Sequence, residues 1–149
     1  MKGSRGFSLL ELLVVLLIVG LFSAMSVAWL DAGPAPLERA LEQLAAEARA
    51  HGDLARHSGQ VSGLRWNGRK PEFVRLHSGG AAPRWVADTR VTRDWPERLK
   101  ADWPASSEPI VVFTANGLAS PATLDWRWAE GRERWQWLSD GRLSRTQLP

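Results

Sequence analysis

One carboxylate stands inside an apolar run. Glu11 follows Gly6-Phe7-Ser8-Leu9-Leu10, and from Leu12 to Leu30 no further charge appears. A carboxylate within a membrane-spanning helix costs about 2.5–3.5 kcal/mol unless it is paired. Ion pairing in low dielectric is therefore the chemistry that Glu11 can do, and it needs a cationic partner. The other titratable residues offer less. His51, His57 and His77 are the only histidines, and His51 and His57 are six apart rather than at the i, i+4 spacing of helical metal ligands. They read as solvated helix-end and loop residues. There is no cysteine, hence no disulfide, thiolate metal site or cysteine nucleophile. The chain lacks a glycine-rich phosphate loop, a G-x-S-x-G elbow and an H-E-x-x-H motif, and its carboxylates are scattered singly. Neither an enzyme nor a metal or other cofactor is expected. A second chemistry, phosphate binding, belongs to arginine. Arg142 and Arg145 lie near the C-terminus, and Arg132 and Arg134 fall on an adjoining run. Arg142 and Arg145 differ in parity, so a regular strand points them to opposite faces. Glu133 and Asp140 dilute the charge, and phosphate binding needs clustered cations; nucleic acid is not the partner favoured by this pattern.

These residues must be positioned by elements that the pattern announces. A helix rises about 1.5 Å per residue, so some 20 apolar residues cross a hydrocarbon core of about 30 Å. Residues 7–30 are long enough. Lys2 and Arg5 precede the run and the next basic residue is Arg39, which places the N-terminus in the cytoplasm. A secretory signal peptide, cut near Ser26-Val27-Ala28, is the simplest alternative. The run exceeds the usual 7–15 residues of such a signal, however, and Glu11 interrupts it. A plain single-pass anchor accommodates the length but leaves Glu11 unexplained. Asp31-Ala32-Gly33-Pro34-Ala35-Pro36 then breaks or loosens the helix over residues 31–36, and Pro36 suits the first turn of a new one. Leu37, Ala40, Leu41, Leu44, Ala45 and Ala48 follow helical spacing, with Glu38, Glu42 and Glu47 off the stripe. An amphipathic helix is expected over residues 37–58, ending near His51-Gly52 or at Gly59.

From residue 60 to 149 the texture is of short alternating runs between Gly, Pro, Asn and Asp. Strands are expected at Val61–Trp66, Glu72–His77, Arg84–Ala87, Arg98–Asp102, Ile110–Thr114, Thr123–Ala129, Arg134–Ser139 and Arg142–Gln147. Leu124, Trp126 and Trp128 share one face while Asp125 and Arg127 share the other. Trp135 and Trp137 repeat the alternation, and Asp140-Gly141 reads as a tight hairpin. Nine Trp in 149 residues read as large anchors for a small core without disulfides. The isoelectric point near 10.2 reflects the absence of Tyr and Cys, which leaves almost nothing to titrate between neutrality and Lys. The formal net charge is only +3, of which Lys2 and Arg5 supply two.

Gly6-Phe7-Ser8-Leu9-Leu10-Glu11 resembles the type IV prepilin signature. The resemblance implies that residues 1–6 are a leader and that prepilin peptidase cuts between Gly6 and Phe7 and methylates the new amine of Phe7. It also implies that Glu11, the fifth mature residue, pairs with a neighbouring subunit's amine and sets the assembly register. Phe113, Gly117 and Pro121 look like the F-x3-G-x3-P element of H-type minor pseudopilins and their FimT-like pilus relatives, and Gly131–Trp135 with Asp140–Leu143 is similar to that group's C-terminal hairpin. One departure stands out: Phe22–Leu30 lacks the Pro that major subunits usually carry, which argues against the major G-type pseudopilin. Glu11 argues against the K-type. The implied fold is α+β and pilin-like, with an N-terminal transmembrane stem helix whose second half packs on an antiparallel β domain. The implied role is that of a minor pseudopilin near the tip of a type II secretion pseudopilus, supporting export of folded proteins. Its implied partners are prepilin peptidase, I-, J- and K-type minor pseudopilins, the major pseudopilin, the inner-membrane assembly platform and membrane lipid. The domain would be periplasmic, beyond a single inner-membrane pass. A FimT-like minor pilin of a type IV pilus, binding DNA through Arg132, Arg134, Arg142 and Arg145, is the alternative.

Overall fold

The structure, a computed structural model, describes residues 9–31, 35–89 and 94–149, with side chains from 9–23 of the first segment and from all of the other two. The chain divides into two compact units, Met1–Pro36 and Leu37–Pro149. Gly6, Phe7 and residues 32–34 of the expected break at 31–36 lie outside the described residues.

In the first unit, helix α1 spans Leu9–Asp31, 23 residues. Its apolar residues recur on every side of the helix rather than at a 3.6-residue period, so no face is set apart for a core. All described side chains from Leu9 to Ser23 are exposed, Leu9 at 83% and Phe22 at 69%. Among the described residues no helix is long and apolar enough to cross a membrane; the side chains described in α1 stop at Ser23, short of the roughly 20 residues a bilayer needs.

Helix α2, Ala35–Ser58, belongs to the second unit from Leu37 onward; it takes Pro36 in its first turn and runs on past Gly52. The expected stripe is buried, with Leu41 and Ala45 wholly excluded from solvent. Because the helix continues beyond Gly52, the stripe extends to His51 and Ala55. This corrects the reading of His51 as a solvated helix end. It is 8% exposed and stacks on Phe73 with ring centroids 4.1 Å apart and planes 8° from parallel. His57 is exposed, as expected, with Nδ1 2.7 Å from the carbonyl of Asp53.

Among the described residues eight strands follow: β1 Ser62–Trp66, β2 Pro71–His77, β3 Arg84–Ala87, β4 Lys100–Ala101, β5 Val111–Phe113, β6 Ala122–Trp128, β7 Gly131–Trp137 and β8 Leu143–Leu148. They form two four-stranded antiparallel sheets, ordered β3-β2-β1-β5 and β4-β6-β7-β8. Each falls on an expected run, with ends shifted by a few residues. The largest shift is in β7, which starts at Gly131 because Ala129-Glu130 makes a two-residue turn opposite Trp128.

The core is aromatic. Trp126 is fully buried, and its ring lies 6.1 Å from Trp66, 5.2 Å from Trp95, 5.7 Å from Trp103 and 5.6 Å from Trp135. All four contacts are tilted or edge-on, the arrangement that the ring quadrupoles favour. Trp135 passes the chain of rings on to Trp137 at 5.6 Å. These six tryptophans thus anchor the sheets, as the alternation of Trp126, Trp135 and Trp137 implied.

Candidate functional site

Glu11 lies in the first turn of α1 and is exposed among exposed apolar side chains. The peptide bond that the prepilin signature marks for cleavage lies outside the described residues. Exposure of leucine, valine and phenylalanine along a whole helix has a physical meaning: burying such side chains stabilises by about 1.5–3 kcal/mol each, so this surface is made to be covered.

The four C-terminal arginines do not converge. Directly paired residues of an antiparallel sheet share a face. Arg134 therefore lies beside Asp125 and Thr146, and Arg132 beside Arg127 and Leu148, on one face of the second sheet. Arg145 lies beside Trp135 on the opposite face. Arg142 is in the turn before β8. Arg134, Arg142 and Arg145 are each also matched to carboxylate. Arg134 binds Asp125 in a fork, 2.8 Å on both arms, and these hydrogen bonds hold the Asp125 carboxyl below its ordinary range. The backbone N–H and side chain of Arg142 do the same to Asp140. Arg145 donates to Glu133 at 2.5 Å and to Glu42 of α2 at 2.6 Å. Burial disfavours its charge, but the two carboxylates outweigh that and raise its pKa.

The burial of Glu133 was hidden from sequence reasoning. This residue faces inward opposite Trp126, is 2% exposed, and accepts from Trp135 Nε1 at 2.6 Å and Gln147 Nε2 at 3.0 Å as well as from Arg145. The signal was available in the parity of Glu133 with Trp135 and Trp137, but only for a strand that begins before Arg134.

The Phe113, Gly117 and Pro121 element is a small hairpin. Thr114 N–H donates to Leu118 O at 3.0 Å and Gly117 N–H to Thr114 O at 3.0 Å; Gly117 has φ 80°. The turn between β7 and β8 repeats this pattern. Leu138 N–H donates to Arg142 O at 2.9 Å, Gly141 N–H donates to Leu138 O at 3.0 Å, and Gly141 has φ 83°. Both are three-residue loops closed by a left-handed glycine, and Asp140-Gly141 makes the tight hairpin expected of it. The twin turns nestle together: a Cβ on Gly141 would sit 2.9 Å from the Gly117 carbonyl oxygen, and Ala119 N–H donates to Ser139 O at 3.1 Å. Glycine is needed at both positions, for φ and for the close approach.

With this geometry in hand, comparison with known proteins is informative at both ends of the chain. Residues 1–27 match the sequence profile of the prokaryotic N-terminal methylation motif. Two solved structures of the minor pseudopilin EpsH from the type 2 secretion system of Vibrio cholerae resemble the chain. One has a TM-score of 0.56 at 18% identity, over 71% of this chain and 92% of that one. The other has a TM-score of 0.53 at 17% identity, over 70% and 88%. The fold is pilin-like. No curated protein sequence matches the chain. The likeness to EpsH lies in the path of the backbone, since identity is too low to carry side-chain roles across.

Proposed function

We propose that this chain is a minor pseudopilin of a type II secretion system, of the H type. The observation that carries the reading is the conjunction of a methylation motif at residues 1–27 with a domain that has the fold of a minor pseudopilin. Lys2 and Arg5 keep the leader in the cytoplasm. Prepilin peptidase cleaves after Gly6 and methylates Phe7, and residues 7–30 hold the protein in the inner membrane with the domain in the periplasm. Cleavage creates a cationic amine at Phe7. In the filament the apolar helices exchange lipid for one another, and Glu11 of one subunit pairs with the amine of its neighbour, which fixes the register. The subunit then sits near the tip with I-, J- and K-type partners, above the major pseudopilin, and supports export of folded proteins. Its role is structural; no catalytic step is assigned to it. The dispersal of Arg132, Arg134, Arg142 and Arg145 leaves the DNA-binding alternative without a converging site.

The test is Glu11→Ala, expressed in place of the natural chain in its own host. The variant should insert, lose residues 1–6 and carry a methylated Phe7 by mass spectrometry, yet be missing from sheared pseudopili and reduce exoprotein release. Normal release and normal incorporation would overturn the role given to Glu11. An unprocessed N-terminus in the natural chain would overturn the prepilin reading itself.

A further inference from the structure

The twin turns form one wall of a groove of about 190 Å³, and α2 forms the other. Its lining includes Phe113, Leu118 and Trp137, with Gly117 and Gly141 at the turns and Arg49, Asp53 and Arg56 from α2. Phe113 and Trp137 are nearly fully buried, whereas Leu118 is 50% exposed at the rim.

The arginines here differ from four arginines of the sheets. Arg65 is matched to Glu72, Arg75 to Asp88, Arg134 to Asp125 and Arg145 to Glu133. Among the described residues neither Arg49 nor Arg56 makes an ion pair or a side-chain hydrogen bond. They stand seven residues apart, two helical turns, and so on one face of α2. The Arg56 guanidinium lies over the Gly117 turn, 2.7 Å from where a Cβ would be. This leaves its planar fork beside an apolar lining, where carboxylate oxygens are bound in pairs. Asp53, between the two arginines, offsets part of their charge and leaves the groove cationic.

We infer that this groove is a docking site for a partner protein's peptide segment that carries a carboxylate next to an apolar side chain. The carboxylate engages Arg49 and Arg56, and the apolar side chain covers Leu118 and the exposed edge of the lining. The site lies wholly within Leu37–Pro149 and does not rest on assembly through α1. Glu11→Ala should therefore leave it intact even where filament assembly fails.

The experiment uses the full chain, ¹⁵N-labelled in detergent micelles, titrated with acetyl-Ala-Leu-Glu-Leu-Ala-amide and with the same peptide carrying Gln for Glu. The Glu peptide should shift the amide signals of Gly52, Gly117 and Gly141, bind more weakly as salt is added, and bind about tenfold more weakly to Arg49→Gln and to Arg56→Gln. Arg56→Lys should retain part of the affinity, and Asp53→Asn should tighten binding. Because Arg49 is not packed on a turn glycine, Arg49→Gln tests the charge without disturbing the Gly117 loop. Equal binding of the Gln peptide, unchanged affinity in Arg49→Gln, or no shift at the three glycines would overturn the proposal. Tighter binding of a DNA duplex than of the Glu peptide at the same amides would overturn it in favour of a phosphate site.

Discussion

Helices α1 and α2 are of nearly equal length, 23 and 24 residues, yet they meet their surroundings in opposite ways. In α2 the apolar side chains recur at helical spacing, and Leu41 is fully buried. In α1 they occur all round, and Leu16 is 66% exposed. A stripe finds its partner within its own chain, because one sheet can cover one face. An all-round apolar surface cannot be covered that way and has to be met by lipid or by other subunits. The two patterns therefore separate a segment whose apolar face is covered within its own domain from one whose described apolar side chains are exposed.

The sharpest way to break this comparison is to remove a core ring and a stem side chain in parallel. Trp126→Ala takes away the ring on which four others converge and should destabilise the domain by about 3–5 kcal/mol, read from denaturant midpoints of the full chain in detergent. Leu16→Ala should leave that midpoint unchanged. A comparable loss from Leu16→Ala would mean that α1 belongs to the same folding unit, and the distinction would collapse.

Glu133→Gln tests how firmly α2 is held by something other than apolar contact. Arg145 bridges Glu133 and Glu42, residues of β7 and α2, so the substitution leaves a partly buried guanidinium with only the exposed Glu42. About 1.5–3 kcal/mol should be lost, in the same denaturation measurement. Arg145→Met with Glu133→Gln should recover part of that, since replacing both partners removes the stranded charge.

Legibility in the sequence followed the same line between local and distant causes. The α2 stripe, the alternation in Leu124–Trp128 and the glycines of Asn116-Gly117 and Asp140-Gly141 are local patterns, and each produced its element. Sheet order was not legible, because the pairing of β1 with β5 and of β4 with β6 depends on closing long loops around the tryptophans. His51 was misread for a related reason: its burial depends on Phe73, 22 positions on, and on a helix that ignores Gly52. Glu133 was missed because a two-residue turn at Ala129-Glu130 starts β7 early and brings the residue inward. Of the proposed site, the twin glycines were visible, but the groove was not, since Arg49 and Arg56 meet the turns only in the folded domain.

The buried imidazole supplies a milder test of α2 packing. His51 Nδ1 is buried without a hydrogen-bond partner among the described residues, and burial lowers the pKa below its ordinary value, with Asp88 opposing and Arg75 assisting. The unfolded chain therefore binds a proton near pH 6.5 that the folded chain resists, so stability rises with pH there and is lost as pH falls below about 6.5. One proton gives a slope of at most about 1.4 kcal/mol per pH unit. His51→Phe, which keeps a ring against Phe73, should flatten the slope between pH 5 and 7. Asp125, held low by Arg134, adds its own loss as pH falls through the ordinary carboxylate range and below.

The smallest expected effect sharpens what exposure means in each region. Arg127 pairs with Asp102, and both side chains are about half exposed, 49% and 48%; such a pair contributes about 0.2–1 kcal/mol. Arg127 also lies directly opposite Arg132 in the β6–β7 register, and like charges so placed repel. Losing the ion pair and relieving the repulsion pull in opposite directions, so Arg127→Ala should move the denaturation midpoint by less than the ion pair alone would, about 0.5 kcal/mol or less. Leu16→Asp is the counterpart in the stem. It too alters an exposed position and should leave the domain midpoint where it was, but it should abolish incorporation into pseudopili. Arg127 is exposed beside its own partner Asp102, whereas Leu16 is an apolar side chain exposed among other exposed apolar side chains of α1.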